Sequence, residues 1–490
     1  MEAATESQLP PGPLPAPPPG RALRPARAAL GVALPMAAGL ALRILALKKL
    51  FEVNGDSLIY GGIAKNLLLH GRFALTTQSG EMYPTLIRLP GYPLFLAACF
   101  RLFGMENYFS ACCAGIALEL IGCLLLAGFV RRIVPQPYSN GAALLTLWLA
   151  ALCPFTASYT AFPLTETPTL FMLTLALWSM ARFRDQPGWK SALWFTFAVC
   201  GAALLRPDGA LAALAFAPAL IIGLPRDSVA PARLRSIATV CILLALVPFG
   251  AWTGRNWRTF HVFEPLAPRL AVDPGEDPNL GWERWVKTWC LDYISTNEIY
   301  WNVPDDSLDV NELPARAFDS PAQHAETAAL ARDYNDGGMD LTPALNARFA
   351  QLAAERIAAH PLRYYLWLPL GRVADMWLRP RVENLPIDLD WWVYAHHYAE
   401  TRFSWTWAAL NALYLLLAIA GLCLRPRFWP AMLAYMLLRS AMLLTVSAPE
   451  ARYTLECFPM LFALGGVALY RFVYLVCLSV VKVKASFGRD

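Results

Sequence analysis

The sequence is poor in charged side chains. Asp, Glu, Lys and Arg make up 16% of its 490 residues, whereas soluble domains contain about 25%. Hydrophobic residues, in contrast, make up 57% of the chain. A water-soluble globule of this length would have too few polar side chains to cover its surface. The composition therefore excludes an ordinary soluble domain and predicts that most of the chain lies in a lipid bilayer.

Metal-binding and nucleic-acid-binding patterns are also missing. The 6 histidines and 11 cysteines show no HExxH, no CxxC and no other spacing that would place metal ligands on one helical face. Most cysteines lie in or beside apolar runs, which is typical of small packing residues. The net charge is only +5, and no basic stripe follows a phosphodiester backbone. We therefore expect no nucleic-acid partner, and no motif indicates a divalent metal or another cofactor.

Long apolar runs are what the sequence has in abundance. A bilayer core about 30 Å thick needs roughly 20 apolar residues in a helix. About ten runs approach this length, and they predict an all-α polytopic membrane protein with juxtamembrane helices in its external loops. The predicted spans are residues 28–47, 109–130, 142–159, 168–181, 192–205, 210–224, 237–252, 405–424, 429–446 and 455–470.

The positions of Lys and Arg predict the orientation, because short loops rich in these residues stay on the cytoplasmic side. They concentrate around residues 21–27, 131–132, 182–190, 226–235, 425–427 and 482–489. The two largest polar regions then share the opposite, extracytoplasmic face. We predict a disordered, Pro-rich cytoplasmic tail (1–27), a membrane core (28–253) with a catalytic first external loop (48–107), an extracytoplasmic region with interfacial helices (254–403), C-terminal spans (404–481) and a cytoplasmic tail (482–490).

The first external loop contains two polar motifs. GDSLIYGGIAKNLLLHGRF carries an apolar stripe at helical spacing and predicts an amphipathic helix on the membrane surface, with Asp56 at its N-terminal end. Asp56 is then either a helix N-cap or an ionised carboxylate that takes a proton from a hydroxyl group. Arg88 precedes a rigid Pro-Gly-Tyr-Pro turn. It is either a solvated, snorkelling side chain or a cation for an anionic lipid headgroup.

Three later motifs place charges at the ends of predicted spans. LTETPTL carries Glu166 at a helix start, where the helix dipole by itself favours a carboxylate. TGRNW places Arg255 just outside the seventh span. PEARYTLECFP offers Glu450, Arg452 and Tyr453 in a short external loop. There, an ion pair that caps the next helix is the alternative to a functional role.

One charge falls in the middle of a predicted span. Glu119 lies within 109–130, where an unpaired charge costs about 2.5–3.5 kcal/mol on insertion scales. We therefore expect Glu119 to be protonated or paired, and Arg43 in the first span is the predicted partner. This pair is predicted to be architectural.

Taken in their order along the chain, these motifs resemble a known family. GDSLIYGGIAKNLLLHGRF, RLPGYPLFL, LTETPTL, LLRPDG, RNW and PEARYTLECFP are similar to bacterial membrane glycosyltransferases related to protein O-mannosyltransferases and to the lipid A aminoarabinose transferase. The resemblance runs from about Leu47 to Tyr470. It implies the GT-C glycosyltransferase fold in a bacterial inner membrane, with an active site that opens to the extracytoplasmic side and takes sugar from a polyprenyl phosphate.

The resemblance also implies roles for individual residues. Asp56 falls on the family's proposed general base, and Arg88 falls on the basic residue that contacts the donor phosphate. Further phosphate-side groups are Arg255, Arg452 and Tyr453, and the predicted acceptor-side or structural groups are Tyr60, Tyr92, Glu166 and Glu450. The O-mannosyltransferases have an Asp-Glu pair where this chain has Asp56-Ser57, which favours the lipid- and polysaccharide-modifying branch.

These residue types suit transfer from a lipid phosphate to a hydroxyl acceptor. A phosphate leaving group is already an anion, so a single base suffices, unlike the two carboxylates of a glycosidase. Arginines stabilise the charge that grows on the phosphate. We predict an inverting hexosyl- or pentosyltransferase whose acceptor is a lipid, a polysaccharide or a protein. The alternatives are a transporter or flippase of lipid-linked sugars and a polysaccharide polymerase or ligase, although no repeated halves of the transporter kind are seen.

Overall fold

The computed structural model describes residues 25–225, 229–268, 270–388 and 398–487. Within these ranges the only strands are β1 (Ala74–Thr76) and β2 (Met82–Pro84), which form an antiparallel hairpin. The predicted all-α architecture is therefore confirmed. Residues 1–24 of the predicted N-terminal tail and residues 488–490 of the predicted C-terminal tail lie outside the described residues.

Eighteen helices are described, and they form three consecutive groups. The first group is α1 (Pro25–Leu50), α2 (Asp56–His70), α3 (Gly91–Phe103), α4 (Tyr108–Ile133), α5 (Ser139–Ala151), α6 (Pro154–Tyr159), α7 (Glu166–Asp185), α8 (Trp189–Leu205), α9 (Leu211–Ile221) and α10 (Pro231–Phe260). The second is α11 (Leu280–Val286), α12 (Tyr293–Ser295), α13 (Pro321–Asp336), α14 (Pro343–Ala359) and α15 (Leu368–Leu378). The third is α16 (Tyr398–Cys423), α17 (Trp429–Leu443) and α18 (Phe458–Phe487).

Short turns of other helix types connect these elements. The 3₁₀ turns are Pro207–Ala210, Val310–Glu312, Ala315–Ala317 and Ala451–Cys457, and the π turns are Thr296–Tyr300 and Arg363–Trp367. The turn Ala451–Cys457 leads directly into α18. The EARY motif, residues 450–453, lies at the start of this tight turn and therefore just before the N-terminus of the long apolar helix α18.

Five segments of the described chain are long and apolar enough to cross a bilayer. They are Ala29–Leu50, Tyr108–Ile133, Pro231–Phe260, Tyr398–Cys423 and Ala451–Val480. Each of the ten predicted spans coincides with helical residues. Several of them fall on apolar helices of 10–17 residues, which are shorter than the five segments above. The predicted span 142–159 is broken into α5 and α6, because Pro154 begins a new helix there. The prediction of a polytopic membrane protein is confirmed.

The predicted intramembrane ion pair is also confirmed. Arg43 Nε donates to Glu119 Oε2 at 2.7 Å, and both side chains are buried. A second guanidinium nitrogen of Arg43 donates to the Ala151 carbonyl at 2.7 Å. The approach of α1 to α5 is close, since a Cβ atom on Gly39 would lie 2.9 Å from that same carbonyl oxygen. The pair therefore joins α1, α4 and α5.

The second group of helices has a hydrophobic core of its own. Trp282 and Trp285 of α11 and Trp289 of the turn after it are almost fully buried. Their rings contact each other at centroid distances of 5.3 Å, and Phe349 of α14 packs edge-on against Trp282 at 5.1 Å. This core supports the loop at 444–450, because Lys287 Nζ donates to the Thr445 carbonyl at 2.8 Å.

Candidate active site

Asp56 begins α2, and its carboxylate is held by two arginines. Gly55, at φ 45°, is the N-cap residue of α2, and no side chain caps this helix. Asp56 Oδ1 accepts from Arg88 Nη2 at 2.5 Å, and its Oδ2 accepts from Arg452 Nη2 at 3.4 Å. The N-cap interpretation of Asp56 is therefore wrong. The structure instead brings together three residues that are far apart in the sequence.

The loop that carries Arg88 is fixed on both sides. Before it, the Leu86 amide donates to Asp273 Oδ1 at 2.7 Å. After it, Gly91 begins α3 so close to α8 that a Cβ atom would lie 2.6 Å from the Leu204 carbonyl oxygen. Only glycine allows this approach. Arg88 is thus held between the segment around Asp273 and the end of α8.

Two aromatic side chains, Tyr60 and Tyr92, pack next to the Asp56–Arg88 pair. The Arg88 guanidinium lies 5.8 Å from the centre of the Tyr60 ring, within the range of a cation–π contact. Tyr60 in turn packs edge-on against Tyr92 at 5.0 Å, and both rings are buried in a small core. Burial raises the pKa of Tyr60 to about 12. The two tyrosines are therefore neutral packing groups at neutral pH in the free protein.

The EARY turn supplies the second arginine. Arg452 pairs closely with Glu450, and the Tyr453 hydroxyl donates to the same carboxylate. The guanidinium groups of Arg452 and Arg206 both lie 5.7 Å from the centre of the Tyr453 ring. Tyr453 therefore contacts both cations and holds Glu450 in place. The expected ion pair between Glu450 and Arg452 is present, and it extends to Asp56 through Arg452.

Glu166 links this group to a deeper layer of charges. It is the first residue of α7, and its Oε1 lies 3.0 Å from Arg206 Nη1 and 3.8 Å from Arg452 Nη1. Arg206 Nε lies 2.8 Å from Glu456 Oε1, and Arg439 Nη1 lies 2.7 Å from Glu456 Oε2. Glu456 thus bridges two arginines.

Asp208 and Arg439 complete this deeper layer, called the inner layer below, which consists of Glu166, Arg206, Asp208, Arg439 and Glu456. The two side chains form a close ion pair, and Arg439 Nε also donates to the Tyr453 carbonyl at 2.9 Å. Sequence reasoning missed Asp208, Arg439 and Glu456 as members of the site. A usable signal existed for Arg439, because a lone charge within a predicted span, as at Glu119, needs a partner.

The two layers differ in their access to solvent. The side chain of Asp56 is 29% exposed, and those of Arg88 and Arg452 are 19% exposed. The side chains of Glu166 and Glu456 are 1% exposed. A substrate can therefore reach the outer layer of Asp56, Arg88 and Arg452. The inner layer is suited to holding the outer arginines in position.

The electrostatics of the outer layer favour an ionised Asp56. Burial by itself raises the pKa of Asp56, but the charges of Arg88 and Arg452 outweigh it, and the pKa lies below its ordinary value of 3.8. Glu450 behaves in the opposite way. Burial raises its pKa above the ordinary value of 4.5, although Arg452 and Tyr453 oppose the shift.

Arg255 is placed in a different environment. Its Nη2 donates to the Phe73 carbonyl at 2.6 Å, and its Nη1 donates to Asn256 Oδ1 at 3.0 Å. The guanidinium also lies 5.2 Å from the ring centres of Phe73, Trp252 and Phe260. These contacts fix the end of α10 against the β1 segment. The structure does not bring Arg255 into contact with Asp56, and its phosphate-side role stays a prediction.

The donor set of the site suits an anion better than a metal ion. Among the residues that the structure describes, no group of three or more His, Cys, Asp or Glu side chains is arranged to hold a metal. The carboxylates of Asp56 and Glu450 already face guanidinium groups. Guanidinium groups match the oxygens of phosphate in geometry and charge.

The comparisons with known proteins agree with the sequence motifs. Residues 87–252 match the family model described as dolichyl-phosphate-mannose-protein mannosyltransferase. This segment contains Arg88, Glu166, Arg206 and Asp208 of the site. No curated protein matches the chain.

Several solved structures show partial likeness to this chain. The Archaeoglobus fulgidus oligosaccharyltransferase tethered with an acceptor peptide has 13% identity and a TM-score of 0.47, covering 91% of this chain and 49% of that one. AglB from the same organism, in complex with an inhibitory peptide and a dolichol-phosphate, has 12% identity and a TM-score of 0.47, covering 94% and 52%. ArnT from Cupriavidus metallidurans bound to undecaprenyl phosphate has 15% identity and a TM-score of 0.38, covering 90% and 78%.

The present chain spans about half the length of the archaeal proteins. The helical architecture and the family match confirm the predicted GT-C class of fold. The predicted resemblance to the membrane glycosyltransferases related to protein O-mannosyltransferases is confirmed, with the family match covering residues 87–252.

Proposed function

We propose that this protein is an inverting glycosyltransferase that moves a sugar from a polyprenyl phosphate to a hydroxyl acceptor. The observation that carries the proposal is the outer layer of the site, where Asp56 lies between Arg88 and Arg452. A partly exposed carboxylate between two guanidinium groups offers a base and an anion-binding site side by side. The match to a mannosyltransferase family over residues 87–252 supports the choice of a lipid-phosphate sugar as donor.

The donor phosphate is expected to bind to Arg88 and Arg452. Both guanidinium groups are partly exposed, and both are held by neighbours that do not depend on a ligand, namely Tyr60 for Arg88 and Glu450 for Arg452. Preorganised cations of this kind stabilise the charge that grows on a leaving phosphate without a reorganisation cost during the reaction. Arg255 is a further candidate for the phosphate side, although it is held elsewhere.

Asp56 is proposed to be the general base. The acceptor hydroxyl gives its proton to the Asp56 carboxylate while its oxygen attacks the anomeric carbon. The bond between that carbon and the phosphate oxygen breaks, and the bonding electrons leave with the phosphate. Attack from the side opposite the phosphate inverts the anomeric configuration. One carboxylate is sufficient because the leaving group needs no proton.

The donor is expected to activate this base. In the free protein both arginines lower the pKa of Asp56, which makes it a weak base. When the phosphodiester anion of the donor shares the charges of Arg88 and Arg452, their effect on Asp56 weakens and its pKa rises. Asp56 therefore becomes a stronger base in the donor complex than in the free protein.

The site is proposed to face the extracytoplasmic side of a bacterial inner membrane, as the distribution of Lys and Arg in the short loops predicts. The acceptor is proposed to be a lipid or polysaccharide hydroxyl, with a protein hydroxyl as the alternative. Tyr60, Tyr92, Glu166 and Glu450 are then structural supports of the acceptor side. They touch the arginines or each other in the free protein.

Reconstitution into vesicles with a polyprenyl-phosphate monosaccharide tests this function. The expected result is release of polyprenyl phosphate coupled to formation of a glycoside with the opposite anomeric configuration. Movement of the intact lipid across the bilayer without cleavage would instead support a flippase. Joining of preassembled oligosaccharides, with no use of the monosaccharide donor, would support a polymerase or ligase. Asp340→Asn removes an exposed carboxylate of the proposed external region. It serves as a control variant and is expected to transfer sugar as wild-type protein does.

A further inference from the structure

The segment after α15 packs directly against the EARY turn. Arg381, which adopts φ 61°, is buried and donates to the Ala451 carbonyl at 2.9 Å and to Thr454 Oγ1 at 2.5 Å. These two acceptors lie on either side of Arg452 and Tyr453 in the sequence. A non-glycine residue with positive φ is uncommon and marks a backbone that its surroundings hold in place. Arg381 therefore fixes the following residues next to the site.

Glu383 lies two residues further on and contacts a tyrosine of α6. The hydroxyl of Tyr159, the last residue of α6, donates to Glu383 Oε1 at 3.3 Å. Burial raises the pKa of Tyr293, and the carboxylates of Glu450 and Glu383 raise it further while Arg452 lowers it. Glu383 also follows Arg381, whose contacts with Ala451 and Thr454 hold this segment against the EARY turn. These contacts place Glu383 near the turn that carries Arg452.

Two polar atoms of this segment have no partner. Within the described residues, neither Glu383 Oε2 nor Asn384 Nδ2 has a hydrogen-bond partner, although both atoms are shielded from solvent. An unsatisfied buried polar group costs about 1–3 kcal/mol, and most buried polar groups in proteins are paired. A carboxylate oxygen and an amide nitrogen on adjacent residues, both unpaired next to an active site, point to a ligand that completes them.

We propose that Glu383 and Asn384 bind hydroxyl groups of a saccharide in the active site. A hydroxyl group donates to the carboxylate oxygen of Glu383, and the amide nitrogen of Asn384 donates to a hydroxyl oxygen. The negative charge of Glu383 disfavours the donor phosphate at this position, whereas Arg88 and Arg452 attract it. The saccharide is either the sugar of the donor or a sugar acceptor. The inference rests on the proposed function for the class of ligand.

Binding measurements on the full-length protein in lipid nanodiscs test the inference. The probes are polyprenyl phosphate and polyprenyl-phosphate mannose, and the readout is the ratio of their dissociation constants. The variants are Glu383→Gln and Asn384→Ala, with Glu312→Gln as a matched control at an exposed position. If the pair binds the donor sugar, wild-type protein prefers the mannosylated lipid and Glu383→Gln lowers that preference about tenfold or more. Binding of polyprenyl phosphate stays unchanged, which shows that the variants fold.

A second titration distinguishes the acceptor from the donor. Methyl α-mannoside is added to protein already saturated with polyprenyl phosphate. A loss of mannoside binding in both variants, with the lipid preference unchanged, assigns the pair to an acceptor saccharide. Unchanged affinities in both titrations, or a wild-type protein that binds no saccharide in either, would overturn the inference. A wild-type protein that shows saccharide binding but transfers no sugar would contradict the proposed function and leave this binding site in place.

Discussion

Glu456 offers the sharpest test of the inner layer. Its carboxylate bridges Arg206 at 2.8 Å and Arg439 at 2.7 Å, and its side chain is 1% exposed. Glu456→Gln keeps the size of the side chain and removes its charge. The amide still reaches one guanidinium group through its oxygen, but its NH₂ group then faces the other cation. The variant therefore leaves two buried arginines short of one negative charge.

The expected cost follows from burial. Removing one partner of a buried ion pair typically destabilises a protein by 3–5 kcal/mol, because the other charge stays buried without compensation. Here Arg206 retains Glu166, and Arg439 retains Asp208. These remaining partners place the expectation at the lower end, about 3 kcal/mol. We also expect a loss of sugar transfer, since Arg206 pairs with Glu166, and Tyr453 donates to Glu450, and both of these carboxylates pair with Arg452.

Reversible unfolding by SDS in bicelles measures this free energy. Asp185→Asn is a matched control, because Asp185 also bridges two arginines, Arg132 at 2.8 Å and Arg427 at 2.6 Å, but its side chain is 27% exposed. Exposed ion pairs contribute about 0–1 kcal/mol. A Glu456→Gln variant that unfolds no more easily than Asp185→Asn would refute the view that the inner layer stabilises the site.

Three further outcomes follow from the site. The acidic limb of kcat/KM, which reports the free protein, is expected at a pH below the ordinary Asp pKa of 3.8. The acidic limb of kcat, which reports the donor complex, is expected at a higher pH. Coincident limbs would exclude activation of Asp56 by the donor. Arg88→Gln and Arg452→Gln are each expected to weaken polyprenyl phosphate binding about 10- to 100-fold, and Arg255→Gln is expected to weaken it less; an equal or larger loss for Arg255 would bring Arg255 into the phosphate site. Gly91→Ala is expected to lower stability by about 1–3 kcal/mol in SDS unfolding, because the new Cβ meets the carbonyl at the end of α8, whereas Gly250→Ala in α10, where no atom lies within 4 Å of the new Cβ, separates this clash from loss of glycine alone.

Several elements could be predicted because one local rule decides them. The helical spacing of the motif GDSLIYGGIAKNLLLHGRF predicts a helix, and α2 occupies Asp56–His70. Arg43 and Glu119 could be paired because a charge in an apolar span requires a partner, and the first span offered one. The ten apolar runs likewise all fall on helices, although Pro154 divides one run into α5 and α6. In these cases the physics acts within one segment or between two charges.

The inner layer of the site could not be predicted in the same way. Arg439, Asp208 and Glu456 come from three distant segments, and their meeting depends on how α17, the turn after α8 and the EARY turn pack together. The sequence shows each charge but does not say which charges meet. The N-cap interpretation of Asp56 was wrong for a related reason, because the distant Arg88 and Arg452 compete with local capping.

The order of the motifs along the chain was not sufficient to predict the surroundings of Arg255. Its place after a span suggested a phosphate-side role, but the aromatic rings of Phe73, Trp252 and Phe260 surround it. The β-hairpin that begins directly after Phe73 was not predicted either. Its strands are only three residues long, so neither provides the alternation that identifies a strand.

The most direct test of Asp56 as the base is a single-turnover measurement with Asp56→Asn. The enzyme is first saturated with polyprenyl-phosphate mannose, and formation of the glycoside is followed after the acceptor is added. We predict a rate at least about a hundredfold lower than that of wild-type protein, with polyprenyl phosphate bound at least as tightly, because the competing carboxylate charge is gone. Transfer at the wild-type rate in a well-folded Asp56→Asn protein would contradict the assignment.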